Sequence, residues 1–195
     1  MLILASASPR RRDLLEQIGL TFEIETADID ETPRLAEDPT RYTMRLAEHK
    51  AAAVMAKLGK RRDPARLVVL GADTTVVCDG QILGKPADEA DAARMLRLLA
   101  GKTHQVITGV ALVTGMAAPV VEAEVTEVVV NPLTERQIAD YVASGEPMGK
   151  AGSYGIQGRA ARFIPRIEGC YFNVVGLPIA LVSTLLSSLP GASAR

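Results

Sequence analysis

The chain has 195 residues, enough for one domain with a substantial core, and we predict a single domain over residues 1–195. A formal net charge of -1 and an aromatic content of 4% argue against binding to nucleic acid or to an anionic membrane surface. The two cysteines, Cys78 and Cys170, lack metal-ligand spacing. A reducing, cytoplasmic location is the simplest interpretation, and one disulfide remains open.

Neither end of the chain has the pattern of a membrane segment. The apolar stretch after Met1 is too short for a signal peptide or an anchor. The apolar run at the other end is interrupted by Asn173, Gly176 and Pro178, so it predicts a packed helix over residues 173–189. We therefore expect no membrane association.

Strands and helices alternate through the first half of the chain. Apolar runs predict strands over residues 2–5, 22–25 and 67–77. Serine or aspartate followed by proline marks a helix start at Ser8 and at Asp38, and the second helix continues to about Leu58.

The second half adds a helix, a hairpin and a glycine-rich loop. The predicted helices cover residues 88–100 and the segment that Thr134 caps; the predicted strands cover 104–112, 120–130 and a short piece around Phe163 and Ile164. Residues 144–157 predict a long ordered loop of the kind that lines binding sites. This order of elements predicts an α/β fold with a mixed central sheet flanked by helices.

The first helix begins with cations, although cations at a helix N-terminus oppose the helix dipole. Ser8 is a candidate cap, and Arg10 and Arg11 follow it within the first turn. A bound anion would compensate for the unfavourable charge, since free backbone N–H groups point outward at such an end. A solvated basic turn is the alternative.

Lys50 and Asp73 are charged residues in apolar surroundings. Lys50 falls in the middle of the apolar face of the second helix, so it either extends outward to water or meets an anion. Asp73 lies inside the strand over residues 67–77, where an unpaired carboxylate is costly. It is therefore paired, holds a metal, or takes part in chemistry.

Further polar groups lie on predicted loops. The acidic loop of residues 27–33 carries Asp28, Asp30 and Glu31, which are either surface charge or include one ligand of Mg²⁺. Lys85 follows the turn after the central strand, and Gln157 ends the glycine-rich loop with an amide suited to a base edge. Cations with one or two carboxylates are the composition of a triphosphate–metal site. His104 is more simply structural than catalytic.

Several motifs together resemble the Maf family of nucleoside triphosphate pyrophosphatases, and the resemblance covers almost the whole chain. They are, in order, Ser6-Ala7-Ser8-Pro9-Arg10-Arg11, Asp30-Glu31, Lys50-Ala51, Gly71-Ala72-Asp73-Thr74 and Leu83-Gly84-Lys85-Pro86. The segment Tyr154-Gly155-Ile156-Gln157-Gly158, after Ala151-Gly152, is similar to the branch acting on dTTP and UTP.

The resemblance implies two lobes around a nucleotide-binding cleft, a cytoplasmic homodimer, and hydrolysis of dTTP and UTP to the monophosphate and pyrophosphate. Modified pyrimidine nucleotides are further candidate substrates. The resemblance also implies a divalent cation and makes Asp73 the implied proton acceptor. Our hypothesis is that the cation is Mg²⁺ or Mn²⁺, held by Glu31 and Asp73. Arg10, Thr74 and Gln157 match positions associated with substrate choice. The implied polar site is completed by Ser8, Arg11, Lys50 and Lys85.

One position departs from the family pattern. The branch usually has an acid immediately before Lys150, and this chain has Gly149 there. If that acid holds a metal or orders the loop, then metal affinity, rate or substrate choice differs in this chain. This departure gives some footing to one alternative, a nucleotide-binding regulator of cell division with little catalysis. Two further alternatives do not depend on Gly149: a phosphohydrolase that releases orthophosphate, and a structural protein in which Asp73 is a satisfied buried residue.

Overall fold

The computed structural model describes residues 1–189; residues 190–195, the end of the predicted domain, lie outside the described residues. The strands are β1 (Leu2–Leu4), β2 (Phe22–Ile24), β3 (Val68–Cys78), β4 (Gln81–Leu83), β5 (Thr103–Thr114), β6 (Val120–Val129) and β7 (Arg166–Glu168). The helices are α1 (Pro9–Gln17), α2 (Pro39–Leu58), α3 (Glu89–Leu99), α4 (Glu135–Val142), α5 (Tyr171–Val175) and α6 (Ile179–Ser188). Short 3₁₀ helices cover Pro64–Arg66, Ala151–Ser153 and Arg159–Phe163.

The seven strands form one mixed sheet, in the order β2-β1-β3-β5-β6-β7, with β4 paired to β3. Strand β1 is parallel to both β2 and β3, whereas β4 and β7 run antiparallel to their partners. The predicted α/β fold with a mixed sheet flanked by helices is confirmed. The nucleotide-binding cleft stays a prediction.

Helix α2 begins and packs as its sequence predicts. The Asp38 carboxylate accepts a hydrogen bond from the Arg41 N–H at 3.0 Å, which caps the helix. The buried residues of α2 repeat at helical spacing: Thr43, Leu46, Ala47, Ala51, Val54 and Leu58. These side chains fix which face of α2 turns toward the core.

The described chain divides into two compact units. The first contains residues 1–73, 108–124 and those from Gly176 onward; the second contains residues 74–107 and 125–175. Each has its own apolar cluster, around Val54 and Val69 in the first and around Leu96 and Tyr141 in the second. No helix within residues 1–189 combines the length and apolar character needed to cross a membrane.

Two predicted elements are wrong near the end of the chain. The helix expected over residues 173–189 is broken into α5 and α6 at Gly176, which has a φ of 129°. Pro178 supplies no N–H and disfavours helix in the residue before it. The apolar pair Phe163-Ile164 ends a 3₁₀ helix instead of forming a strand, and the strand follows at β7. Short apolar runs do not distinguish the two conformations.

His104 is structural, as its sequence context suggested, and it is buried in the second unit. Its side chain is 2% exposed, and Nε2 lies 2.8 Å from the hydroxyl oxygen of Tyr154. The other ring nitrogen, Nδ1, has no hydrogen-bond partner among the described residues. Burial lowers the pKa of His104 from 6.5 to about 4, because the imidazolium would lose its water.

This burial predicts a loss of stability in weak acid. The unfolded chain takes up a proton at His104 near pH 6.5 and the folded chain only near pH 4, so the free energy of unfolding falls as the pH drops through that interval. The full loss is about 3 kcal/mol. Urea unfolding at pH 7 and pH 4.5 measures most of this loss, which is complete only below pH 4. His104→Gln is expected to remove most of the difference, and His49→Gln, at an exposed position, is expected to retain it.

Candidate functional site

A lysine and an aspartate meet in the first unit, beside the centre of the sheet. Asp73 lies in the middle of β3, and Lys50 projects from the inward side of α2. Lys50 Nζ donates to Asp73 Oδ1 at 2.6 Å, and the side chains are only 17% and 13% exposed. The expectation that Lys50 meets an anion is therefore confirmed. Limited access to water strengthens their mutual attraction.

A glycine lets the helix come this close to the strand. A Cβ atom at Gly71 would lie 2.1 Å from the carbonyl oxygen of Ala47 and 3.0 Å from the Ala51 side chain. Ala47 and Ala51 flank Lys50 on the helix, and Gly71 precedes Asp73 by two residues on the strand. The close backbone packing at Gly71 therefore brings the two charged side chains within contact distance.

A second carboxylate reaches the same ammonium group. Glu31 Oε1 lies 2.8 Å from Lys50 Nζ, although Glu31 belongs to a loop and its side chain is 54% exposed. One lysine thus bridges two carboxylates from distant parts of the sequence. The negative charge of Asp73 and Glu31 also affects Tyr42. Burial raises the pKa of the Tyr42 hydroxyl, and these two carboxylates raise it further.

Arg11 anchors the loop after β1 to the central strand. Its guanidinium donates to the carbonyl of Ala72 at 2.9 Å, to the hydroxyl of Ser6 at 3.1 Å and to the carbonyl of Gly176 at 2.8 Å. Burial lowers the pKa of Arg11, and the nearby Asp73 carboxylate opposes that effect. Arg11 therefore holds the backbone next to Asp73 in place and adds positive charge there.

The start of α1 differs from the prediction in one detail. Ser8 occupies the N-cap position as expected, but its side chain caps no backbone N–H. Instead, the Ser8 N–H donates to the Ser6 hydroxyl at 3.2 Å, the same oxygen that accepts from Arg11. Arg10 follows in the first turn and is half-buried. Ser6 is thus the residue that organises this loop.

Three predicted site residues belong to the second unit. Thr74 follows Asp73 on β3 and is half-buried, Lys85 is exposed in the loop after β4, and Gln157 is exposed between two 3₁₀ helices. Their part in substrate choice stays a prediction. Ser8, Arg10, Arg11, Glu31, Lys50 and Asp73 all lie in the first unit.

Glu146 orders the glycine-rich loop, a role that the sequence did not indicate. Its carboxylate accepts from the Tyr141 hydroxyl at 2.9 Å and from the Arg159 N–H at 2.9 Å, and its backbone carbonyl accepts from the Lys150 ammonium. Because these partners lie on both sides of Gln157, Glu146 ties the two ends of the loop together. A glutamate five residues after a tyrosine in a helix is a common sequence pattern, so the sequence alone does not predict that Glu146 binds both ends of the loop.

Gly149, where the family pattern has an acid, lies in a left-handed conformation with a φ of 72°. No atom lies within 4 Å of the position that a Cβ would take. An aspartate would therefore meet no neighbouring atom, but a left-handed φ strains any side chain at this position. Aspartate tolerates this backbone region better than most residues.

The chemistry of Glu31 and Asp73 fits a hard divalent cation. Within residues 1–189, no three histidine, cysteine or acidic side chains are grouped as a metal site. The two carboxylates that contact Lys50 are candidate protein ligands for such a cation. Mg²⁺ is commonly held by one or two carboxylates, with water and substrate phosphates completing its coordination.

The fold and this cluster define a mixed α/β protein with one lysine and two carboxylates gathered beside its central strand. The chain belongs to the Maf family, since the family model described as "Maf-like protein" matches residues 1–189. This match confirms the family membership that the sequence motifs predicted.

Named relatives align with nearly the whole chain. A protein of Koribacter versatilis named dTTP/UTP pyrophosphatase is 52% identical over 185 residues, which cover 95% of this chain and 92% of the relative. A protein of the same name from Pelotomaculum thermopropionicum is 52% identical over 186 residues, covering 95% and 94%. Among solved structures, a nucleoside-triphosphatase / dITP/XTP pyrophosphatase from Mycobacterium abscessus is 15% identical, with a TM-score of 0.42 over 66% of this chain and 73% of that one.

Proposed function

We propose that this chain is a nucleoside triphosphate pyrophosphatase that hydrolyses dTTP and UTP to the monophosphate and pyrophosphate. Relatives that are 52% identical over 95% of the chain carry the name dTTP/UTP pyrophosphatase. The structural observation that carries the proposal is the cluster of Asp73, Lys50 and Glu31, joined at 2.6 and 2.8 Å. The cluster supplies a candidate base, a candidate cation for phosphate and a pair of candidate metal ligands.

In the proposed reaction, a water oxygen forms a bond to the α-phosphorus. The bond from that phosphorus to the bridging oxygen of pyrophosphate breaks. Asp73 orients the water and accepts the proton that it loses, so that hydroxide character develops only as the bond forms. The monophosphate and pyrophosphate then leave, and Asp73 returns the proton to solvent.

Positive charge next to Asp73 completes the proposed site. Lys50 and Arg11 lie beside Asp73, and Arg10 is the further cation at the start of α1. Such groups stabilise the charge that accumulates on phosphate oxygens as the leaving group departs. Glu31 and Asp73 would hold Mg²⁺ or Mn²⁺, which when bound neutralises phosphate charge and polarises the reacting groups.

The remaining parts of the proposal concern substrate choice, location and assembly. We assign base recognition to Gln157, with Thr74 and Arg10, and phosphate binding to Ser8 and Lys85. A cytoplasmic location accords with Cys78 and Cys170 being free thiols. A homodimer rests on the family resemblance, and light scattering coupled to gel filtration measures it.

A nucleotide panel tests this function. Canonical and modified nucleoside triphosphates are incubated with Mg²⁺ or Mn²⁺, and pyrophosphate and orthophosphate are scored separately. We expect pyrophosphate as the product from dTTP and UTP. Their kcat/KM should be at least about tenfold above that for dATP and dGTP, because the loss of one hydrogen bond to a base edge lowers kcat/KM by about tenfold or more.

Other outcomes of the panel point to different functions. Orthophosphate as the first product would identify a phosphatase instead. Tight nucleotide binding without turnover under either metal would favour the regulator of cell division and would direct attention to Gly149. Pyrophosphate from purine substrates alone would retain the reaction and overturn the assigned base preference.

A further inference from the structure

The Glu31 loop has no regular secondary structure of its own to fix it. Residues 25–34 form neither helix nor strand, and the Glu31 side chain is more than half exposed. A carboxylate on such a segment would ordinarily sample many positions, and metal binding would then have to order it. Yet Glu31 reaches the same ammonium as the buried Asp73. Something outside the loop must hold it.

Two side chains of α2 hold the backbone of this loop. The Tyr42 hydroxyl donates to the carbonyl of Glu31 at 2.9 Å, and the Arg45 guanidinium donates to the carbonyl of Thr32 at 3.2 Å. Tyr42 and Arg45 belong to the helix that also carries Lys50. The loop is therefore attached to the same rigid element that presents the lysine.

Arg45 is itself held in place by a close ion pair with Glu37. Its Nε and one terminal nitrogen each lie 2.7 Å from an oxygen of Glu37, a paired geometry that sets direction as well as distance. The two side chains are only 12% and 9% exposed. Glu37 also accepts from the Arg34 N–H at 3.0 Å, which closes the loop on itself.

The pair keeps its charge throughout the usable pH range. The Arg45 guanidinium holds the pKa of Glu37 down at about 2, and Glu37 raises that of Arg45. The Arg45 group also lies 5.6 Å from the centre of the Tyr42 ring, so the two residues that grip the loop contact each other. Ordinary changes of pH therefore leave this attachment intact.

We propose that Arg45 and Glu37, together with Tyr42, are positioning residues that hold the Glu31 carboxylate where it binds the divalent cation with Asp73. This inference rests on the proposed function for the identity of the ligand. None of the three residues needs to touch the nucleotide. Their effect is to remove the cost of ordering the loop when the cation binds.

Direct Mn²⁺ binding tests the proposal without turnover. Free Mn²⁺ is followed by electron paramagnetic resonance as it titrates the protein in the presence of α,β-methylene-dTTP, which cannot be hydrolysed at that bond. Arg45→Lys retains the charge but loses the forked geometry, and it is expected to raise the Kd for Mn²⁺ by about tenfold or more. Tyr42→Phe, which removes only the hydroxyl, is expected to act in the same direction.

The chain supplies a matched control. Arg97 makes a similar forked pair with Glu135 between α3 and α4 in the second unit, at 2.8 to 3.1 Å. Arg97→Lys should leave the Mn²⁺ Kd unchanged. Because the Arg97 and Glu135 side chains are 52% and 71% exposed, this variant should also lower the melting temperature by less than Arg45→Lys does. Excess Mn²⁺ should restore the kcat of Arg45→Lys to the wild-type value, which a distorted fold would not allow.

Three results would overturn the positioning role. The first is an unchanged Mn²⁺ Kd in Arg45→Lys, and the second is an equal rise of the Mn²⁺ Kd in Arg97→Lys. The third is an absence of Mn²⁺ binding by the wild-type protein in the presence of the analogue. Failure of the proposed function is recognised separately, by the absence of pyrophosphate from wild-type protein in the nucleotide panel. The Mn²⁺ comparison does not depend on that reaction.

Discussion

Asp73→Asn is expected to lower the kcat for pyrophosphate release from dTTP by about 10²–10⁴-fold, the usual contribution of a positioned proton acceptor. The amide has the size of the carboxylate, and its oxygen can still accept from Lys50, whose ammonium lies 2.6 Å away in the wild-type protein. Folding should therefore survive. The amide cannot accept a proton from water, and it is a far weaker metal ligand than a carboxylate.

The measurement pairs single-turnover pyrophosphate release with thermal unfolding. Asp79→Asn is a matched control, because Asp79 also accepts from a lysine, Lys102, at 2.7 Å, but in an exposed turn at the far end of the same strand. Asp79→Asn is expected to retain wild-type kcat. If Asp73→Asn turns over dTTP within about threefold of the wild type, its role as proton acceptor is wrong.

Much of the first unit could be anticipated because helical periodicity and capping are local. The spacing of the buried residues in α2 predicted both the face that packs and the inward position of Lys50. Desolvation cost predicted that Lys50 either reaches water or meets an anion, and that Asp73 is paired, holds a metal or takes part in chemistry. It did not predict that the two side chains are each other's partner, which the structure shows.

The second carboxylate could not be placed in the same way. Glu31 belongs to an acidic loop with no periodicity, where surface charge and metal ligand looked alike in the sequence. Its position depends on Tyr42 and Arg45, which bind its backbone and that of its neighbour across 11 and 13 residues of sequence. Contacts from a helix side chain to a loop carbonyl leave no signature in composition or spacing.

The break at the end of the chain shows a different limit. An apolar run with a single glycine and a single proline fits either one kinked helix or two helices. The choice depends on the backbone at Gly176, whose carbonyl also accepts from Arg11 in the first helix. That contact joins residues 165 positions apart, and periodicity does not report contacts of this range.

Gly71→Ala should damage both the fold and the reaction, although alanine is the smallest possible addition. The new Cβ would lie 2.1 Å from the carbonyl oxygen of Ala47, a backbone atom that cannot rotate away. Helix α2 must then move off β3 by about 1 Å or more. Overpacking of this kind costs about 1–3 kcal/mol, which corresponds to about 2–4 °C in melting temperature for each kcal/mol in a chain of this size.

Catalysis should fall as well, because the displaced helix carries Lys50 away from Asp73. Misplacement by about 1 Å is enough to reduce kcat by about 10²-fold. Gly84→Ala is the control, since a Cβ there meets nothing within 4 Å and its φ is ordinary. Wild-type kcat and melting temperature in Gly71→Ala would show that α2 can adjust without disturbing the Lys50–Asp73 contact. If kcat and melting temperature fall in Gly71→Ala and neither falls in Gly84→Ala, the result supports a dependence of catalysis on the close packing of α2 on β3.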